Sequence, residues 1–375
     1  MKTLGLFFKI KRVLFISLVL LFSVFAKASD FIIDGIAYNV VSLDDMTCEV
    51  TSDKTVEYSG SIKIPSDVVY NGRHFSVVGI GKNAFTDCDK ISDVKLPESI
   101  TYIGKEAFWN CTSLVSVNVP ESITNIEEWA FQNCSSLESI VFPTSLTNLE
   151  KGVFYDCKAL KHFEIPNNIV NIKEQVFYRC TSLESITIPE SCKLISISSF
   201  NYCSGLKKVS ILSKDISIFG YYMPGVVYPF NYCNNLKEVY LSSYMSIIMF
   251  NYPILENVTF FEGTNWSSDV NDFDDTINMK QFTILDNVPP TQEFNFSNSQ
   301  FMNVSLVVPE GSIELYKSAD PWSKFWNISE YKGETGVKDI MYHDVKKKNI
   351  KTIANKKIII KTATKSFDIN GVSIN

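Results

Sequence analysis

Histidine is nearly absent: His74, His162 and His343 are the only three, and they lie far apart in the chain. A general base or a metal centre built on imidazole therefore has little to draw on. Gly-x-Ser-x-Gly, His-Glu-x-x-His and Cys-x-x-Cys are all missing, which removes familiar hydrolase, metallopeptidase and thiol-redox signatures. Gly79-Ile-Gly81-Lys-Asn-Ala84 matches the loose dinucleotide fingerprint, but it is one copy of a phrase used elsewhere in the chain. No cofactor, no metal and no catalytic residue is expected, and the chain reads as a non-enzyme. Long apolar runs are also lacking. The longest, at residues 13–25, falls short of the roughly 20 residues that span a bilayer.

That run sits in a recognisable context. Lys2, Lys9, Lys11 and Arg12 precede it and Ala26-Lys27-Ala28 follows, the order of a secretory signal peptide with a small-residue cleavage site. Residues 1–28 are read as that signal, leaving a mature chain without a transmembrane segment, secreted or held at the cell surface. No cysteine stands near the cleavage site, which argues against a lipid anchor. The formal charge of −6 becomes −11 once the five cations of residues 1–28 are removed. Residues 331–375 carry ten lysines and four acids, so residues 29–330 hold about −17. An acidic surface repels phosphate backbones, and nucleic acid is not an expected partner.

What is present is periodicity. Phenylalanine returns at Phe85, Phe108, Phe131, Phe154, Phe177 and Phe200, and cysteine follows three residues later each time, from Cys88 to Cys203. Pro97, Pro120, Pro143, Pro166 and Pro189 keep the same 23-residue beat. Each unit holds a short alternating stretch such as Leu183-x-x-Ile186-x-Ile188, which predicts a half-buried strand. A second apolar pair, such as Ile123-x-x-Ile126, leads into an Ala-Phe turn. No 23-residue unit closes a core alone, so neighbours must stack, with parallel strands and continuous internal ladders. Proline at the strand ends removes no needed N–H.

The phrase resembles the BspA-like leucine-rich repeat family of bacterial surface and secreted proteins. The likeness is carried by the Ile-Gly-x-x-Ala-Phe of residues 103–108 and by Leu183-Glu-Ser-Ile-Thr-Ile-Pro189. It covers roughly residues 58–330 and recurs in phase. The resemblance implies a curved leucine-rich repeat solenoid with N- and C-terminal caps, used for adhesion or ligand binding. Fold alone does not license a function.

Nine cysteines in an exported chain would ordinarily mean disulfides. Here adjacent rungs lie about 4.7–4.9 Å apart, within bridging reach, yet equivalent Cβ vectors in a stack run parallel rather than converging. The repeat cysteines are expected to be a buried, reduced ladder behaving as small hydrophobes. Cys192 falls in the column of Ile100, Ile123, Leu146 and Ile169 and is read the same way, whereas Cys48 lies outside the ladder.

In chain order, residues 29–75 are expected to form an N-terminal β cap that opens with a Gly35 hairpin. Residues 76–260 form the repeats. Residues 261–330 form degenerate repeats and a C-terminal cap. Residues 331–375 form a Lys-rich tail with two strands, at 357–361 and 366–371. The tail resembles the front half of a type IX sorting module; a solvated basic tail is the alternative. Phe200 to Phe230 is 30 residues, so seven are inserted, in a stretch rich in tyrosine. Inserts in repeats map to loops on one face and often bind.

Outward strand positions, among them Asp93, Lys95, Ser116, Asn118, Ser139, Glu164, Thr187, Ser210 and Tyr240, are mostly small and mixed, with no aromatic row for sugars. They suit a broad protein contact. Candidate binding residues are Tyr221, Tyr222 and Tyr228 of the insert and Tyr240 beside it, because tyrosine anchors interfaces; the alternative is that these rings patch an irregular rung. Asp269, Asp272, Asp274 and Asp275 cluster as Ca²⁺ ligands do, but lack the glycine turn and closing glutamate of a calcium loop. The expected function is protein–protein interaction or adhesion at the cell surface, with a host or extracellular-matrix protein as partner. A glycan-binding or structural cell-envelope role is the alternative.

Overall fold

Phenylalanine sets the geometry of every rung. In the first of two compact units, Met1–Leu183, Phe85, Phe108, Phe131, Phe154 and Phe177 are fully buried. Successive rings stack at centroid separations of 5.2, 5.2, 5.9 and 5.5 Å. This spacing falls in the range offset aromatic pairs prefer, so one residue type repeated every 23 positions builds a continuous apolar spine. The structure, a computed structural model, describes residues 29–219, 228–243, 255–266, 278–291 and 294–331, together with four strands beyond them. The proposed signal, the four clustered aspartates, His343, Tyr221 and Tyr222 lie outside the described residues.

Parallel strands flank the spine. Gly60–Lys63, Ile91–Lys95 and Ser116–Asn118 pair in one sheet, and Arg73–Ile80, Tyr102–Ile103 and Asn125–Ile126 pair in another. Ile80, Ile103 and Ile126 stand in register, as the sequence period requires. Further on, the first sheet narrows to a single bridge between Ser139 and His162. There Phe142 and Phe163 turn toward the spine and meet Phe154 at 5.2 and 5.0 Å. Phe31–Ile33, Ile36–Ser42 and Thr47–Val50 form an antiparallel meander joined to Arg73–Ile80. Its first turn puts Asp34 and Gly35 at φ 48° and 75°, the paired positive values of a two-residue hairpin.

The turn side of each rung is also a ladder. Phe85, Phe108, Phe131 and Phe154 donate their N–H groups to the carbonyls of Ala107, Ala130, Val153 and Val176 at 2.7–3.0 Å. Two residues later, Asp87, Asn110, Asn133 and Asp156 do the same to the next rung. These turn segments therefore spend their backbone donors between rungs, satisfying groups that burial would otherwise penalise.

The second unit, Glu184–Asn375, carries a seven-stranded parallel sheet. Its strands are Ser185–Ile188, Lys208–Ile211, Glu238–Ser243, Asn257–Asn265, Gln281–Ile284, Ser305–Val308 and Asn327–Glu330. The rungs thus persist after the Phe–Cys phrase has faded, because Val239, Val258, Phe282 and Leu306 keep one buried column in register. An aromatic cluster follows around the buried Trp322, whose indole N–H donates to the Pro290 carbonyl at 2.9 Å. In the tail the structure has four antiparallel strands, Ile350–Ala354, Lys357–Lys361, Ser366–Phe367 and Ser373–Ile374, where the sequence pattern pointed to two.

The chain is therefore a leucine-rich repeat solenoid with stacked repeats of about 23 residues and parallel sheets. None of the nine cysteines is in a disulfide, and Cys48 is buried like the ladder. The thiols do more than fill space. Cys111, Cys134, Cys157 and Cys180 each donate to the carbonyl of the phenylalanine one rung back, Phe85, Phe108, Phe131 and Phe154, at 3.0–3.1 Å.

Candidate functional site

Two of the outward strand positions in the first unit help hold the rungs together. Asn118 accepts from the Leu96 N–H at 2.8 Å and donates back to the Leu96 carbonyl at 3.0 Å. Asp93 takes the Ser61 hydroxyl at 2.7 Å. In the second unit Ser210, expected to face outward, is buried at 6% exposure. Its strand neighbours are Thr187 and the bulky Tyr240. Tyr240 is half-buried, with Lys208 Nζ 4.4 Å from its ring centroid and Phe261 at 6.2 Å. It packs with Tyr331 against a cluster of Leu212, Phe261 and Leu285.

Tyr228 is half-buried, and its carbonyl accepts from the Asn231 N–H at 3.4 Å. Tyr221 and Tyr222 lie outside the described residues.

A different aromatic group stands out along the turns. Two positions per rung, two residues before and two after the phenylalanine, take positive φ. In the first unit these include Asn83 and Asp87, Glu106 and Asn110, Trp129 and Asn133, and Gly152 and Asp156. Asn, Asp and Gly suit this conformation. In the second unit Tyr202 and Tyr232 occupy the place after the phenylalanine, both at φ 61°. Each costs about 1–2 kcal/mol of backbone strain for a bulky side chain. Their rings stack at 4.4 Å and 11°, yet they remain 40% and 53% exposed. Beneath them Phe200 and Phe230 stack at 4.7 Å. Tyr202 N–H donates to the Asn231 carbonyl at 2.9 Å, and Asn231 N–H to Asn201 Oδ1 at 3.0 Å. The pair is thus mounted on a hydrogen-bonded frame.

The first unit carries a related set one position earlier in the turn. Tyr155 and Tyr178 stack at 4.8 Å and 5°, and Trp129 meets Tyr155 edge-on at 5.8 Å. Sequence reading missed these rows because it searched the strands for aromatics. The signal was the spacing itself: Tyr155 and Tyr178 are one period apart, and Tyr202 and Tyr232 are one enlarged period apart.

Charged groups nearby are mutually satisfied. A shallow recess is lined by Lys105, Asn125, Glu127, Glu128 and Glu150. There Lys105 pairs with Glu128 at 3.1 Å and its N–H donates to Glu127, while Lys173 pairs with Glu150. Glu256 lies between Lys237 and Lys280, each at 2.6 Å, whose hydrogen bonds hold its carboxyl below the usual range. Burial pushes the ladder thiols far up, and Cys88 to about 11, so they are poor nucleophiles. His74 and His162 are exposed. Among the described residues no group of three or more His, Cys, Asp or Glu side chains is placed to hold a metal ion, and no helix is long and apolar enough to cross a membrane. The glycine pattern that mimics a dinucleotide loop has a packing cause instead. The Tyr102 ring lies where a Cβ on Gly79 would be, at 2.1 Å, and its hydroxyl donates to Glu49 at 2.6 Å.

The sequence matches the family described as "BspA type Leucine rich repeat region" in six copies, over residues 78–207 and 150–270. No curated protein matches at a significant level. Among solved structures the chain is similar to the Treponema pallidum leucine-rich repeat protein, at 24% identity over 66% of this chain and 90% of that one, with a TM-score of 0.37. A leucine-rich repeat protein from Bacteroides ovatus is 20% identical over 81% of this chain and all of that one, with a TM-score of 0.33. The pneumococcal vaccine antigen PcpA is 17% identical over 82% and 100%, with a TM-score of 0.37. The repeat matches extend from residue 78 to residue 270, just over half of the 375 residues, and on them the chain belongs to the BspA-type leucine-rich repeat family.

Proposed function

We propose that the chain works outside the cell as a non-enzymatic protein-binding surface, and that its partner is a protein gripped at the turn edge by Tyr202 and Tyr232. The carrying observation is the geometry of that pair. Two rings stacked at 4.4 Å and 11° spend a face of each on one another and cannot lie side by side as a flat platform. A sugar stacked across both rings would need such a platform. A protein partner instead meets the ring edges, which carry positive potential, and the hydroxyls, both suited to backbone carbonyls. Rigid aromatics that are already ordered lose little entropy on binding. Holding tyrosine at φ 61°, where equivalent turns use Asn110 and Asn133, supports a role beyond the turn itself. Membership in a repeat family of surface-protein type agrees with this reading.

The test is an array of purified extracellular-matrix proteins and glycans, probed with the full exported chain and with a Tyr202→Asn/Tyr232→Asn variant. Asparagine suits the left-handed turn, so the variant should fold at least as well. Saturable binding to a protein, weakened at least about tenfold in the variant, is expected from the loss of two anchors. Binding to glycans alone, or undiminished protein binding by the variant, would contradict the proposal.

A further inference from the structure

Asp53 divides its carboxylate between two tasks. Oδ1 accepts from the Thr55 N–H at 2.9 Å and the Thr55 hydroxyl at 2.6 Å, closing a turn that also carries a Val56 N–H to Asp53 carbonyl bond. Oδ2 accepts from Ser29, through its N–H at 3.1 Å and its hydroxyl at 2.7 Å. The carboxyl is held well below its usual range by the hydrogen bonds from Thr55 and Ser29.

Ser29 is fixed from its other side as well. Asp30 N–H donates to the Tyr38 carbonyl at 2.9 Å, and Val40 N–H donates to the Asp30 carboxylate at 2.8 Å. Phe31–Ile33 then continues as a strand on Ile36–Ser42. The backbone nitrogen of Ser29 is therefore held against an anionic oxygen 24 residues away. In sequence, Ser29 is the residue that follows Ala26-Lys27-Ala28, the small-residue cleavage pattern.

We propose that Asp53 is the receiving site for the processed N-terminus, so that cleavage after Ala28 converts a hydrogen bond into an ion pair. Hydrolysis of the Ala28–Ser29 peptide bond by a processing peptidase consumes one water. It leaves a carboxylate on Ala28 of the departing peptide and an α-ammonium on Ser29. That ammonium forms where the amide stood, 3.1 Å from Oδ2, and a charge-assisted bond replaces a neutral donor. The mature end is thereby locked at the edge of the antiparallel meander, where a free chain end would otherwise fray. This inference shares with the proposed function only the expectation of export, and it is read out without any binding partner.

The experiment expresses the full chain in a bacterium that processes signal peptides, and reads the N-terminus of the exported protein by intact mass. The α-amine is then labelled at neutral pH with an amine-acylating reagent, in the native protein, in urea, and in Asp53→Asn. A start at Ser29 is expected. Labelling should be about tenfold slower in the folded native chain than in urea, the fold-change of a one-unit rise in amine pKa. Asp53→Asn should recover most of the difference. The comparison with urea needs no variant and holds even if Asp53→Asn folds poorly. A mature N-terminus at another residue, or an amine equally reactive in folded and unfolded chains, would overturn the assignment.

Discussion

Raising the pH from 8 to 10 should cost the first unit much of its stability, and the thiol ladder supplies the reason. Cys111, Cys134, Cys157 and Cys180 are fully buried, each donating to a phenylalanine carbonyl, and burial raises all four above the ordinary thiol value of 9.0. The sign follows from linkage. Below pH 9 both folded and unfolded thiols are protonated and the full stability is present. Above it the unfolded chain releases protons while the folded chain holds them, so stability falls as pH rises. Between pH 8 and 10 each thiol costs about 1.4 kcal/mol, and four cost about 5–6 kcal/mol. That is comparable to the whole stability of an ordinary domain, about 5–15 kcal/mol. The assay is urea unfolding at both pH values, followed by far-ultraviolet circular dichroism, with a non-thiol reductant present. Cys134→Ala/Cys157→Ala should be weaker at pH 8 because two cavities open. Its further loss between pH 8 and 10 should nevertheless shrink by about 3 kcal/mol, two thiols' worth. An unchanged pH increment in that variant would refute the reasoning. So would thiolate absorbance rising near pH 9 at all four ladder positions while the circular dichroism stays native.

Phe131→Ala removes a ring stacked on Phe108 at 5.2 Å and Phe154 at 5.9 Å. It should cost about 3–5 kcal/mol in urea unfolding; a loss below 1 kcal/mol would mean the spine is not close-packed. Gly152→Ala places a Cβ 1.8 Å from the Trp129 ring at φ 62°, so it should lower the melting temperature and shift tryptophan fluorescence as that ring is displaced. In native-state alkylation read by peptide mass spectrometry, the half-buried Cys88 should be modified before any of the fully buried ladder cysteines. Its thiol, pushed up to about 11, should still react more slowly than an exposed cysteine.

The Phe–Cys–Pro beat made the repeat legible because each of those residues has one physical job per rung. Ile80, Ile103 and Ile126 fall in register as the period requires, and the Gly35 hairpin falls where its turn residues place it. The rungs at Gln281–Ile284 and Ser305–Val308 were harder to read, since a strand needs only two inward apolar residues and any of Val, Leu, Ile or Phe will serve. The thiol hydrogen bonds were missed because cysteine was treated as a small hydrophobe, whereas its S–H also serves the phenylalanine carbonyl one rung back. Ser210 looked exposed by alternation, but alternation assigns a face and says nothing of what lies over it. The turn-edge tyrosines escaped for a related reason. Their left-handed backbone is imposed by the rung, and neither Tyr202 nor Tyr232 advertises it.

Hydrogen exchange on the full chain, alone and bound to the array protein it captures, tests most directly whether contact is made at the turn edge. The account predicts slowed exchange in peptides covering residues 198–206 and 228–236, with the strands Lys208–Ile211 and Glu238–Ser243 unchanged. Protection confined to those strands, with the Tyr202 and Tyr232 turns exchanging as in the free chain, would contradict it.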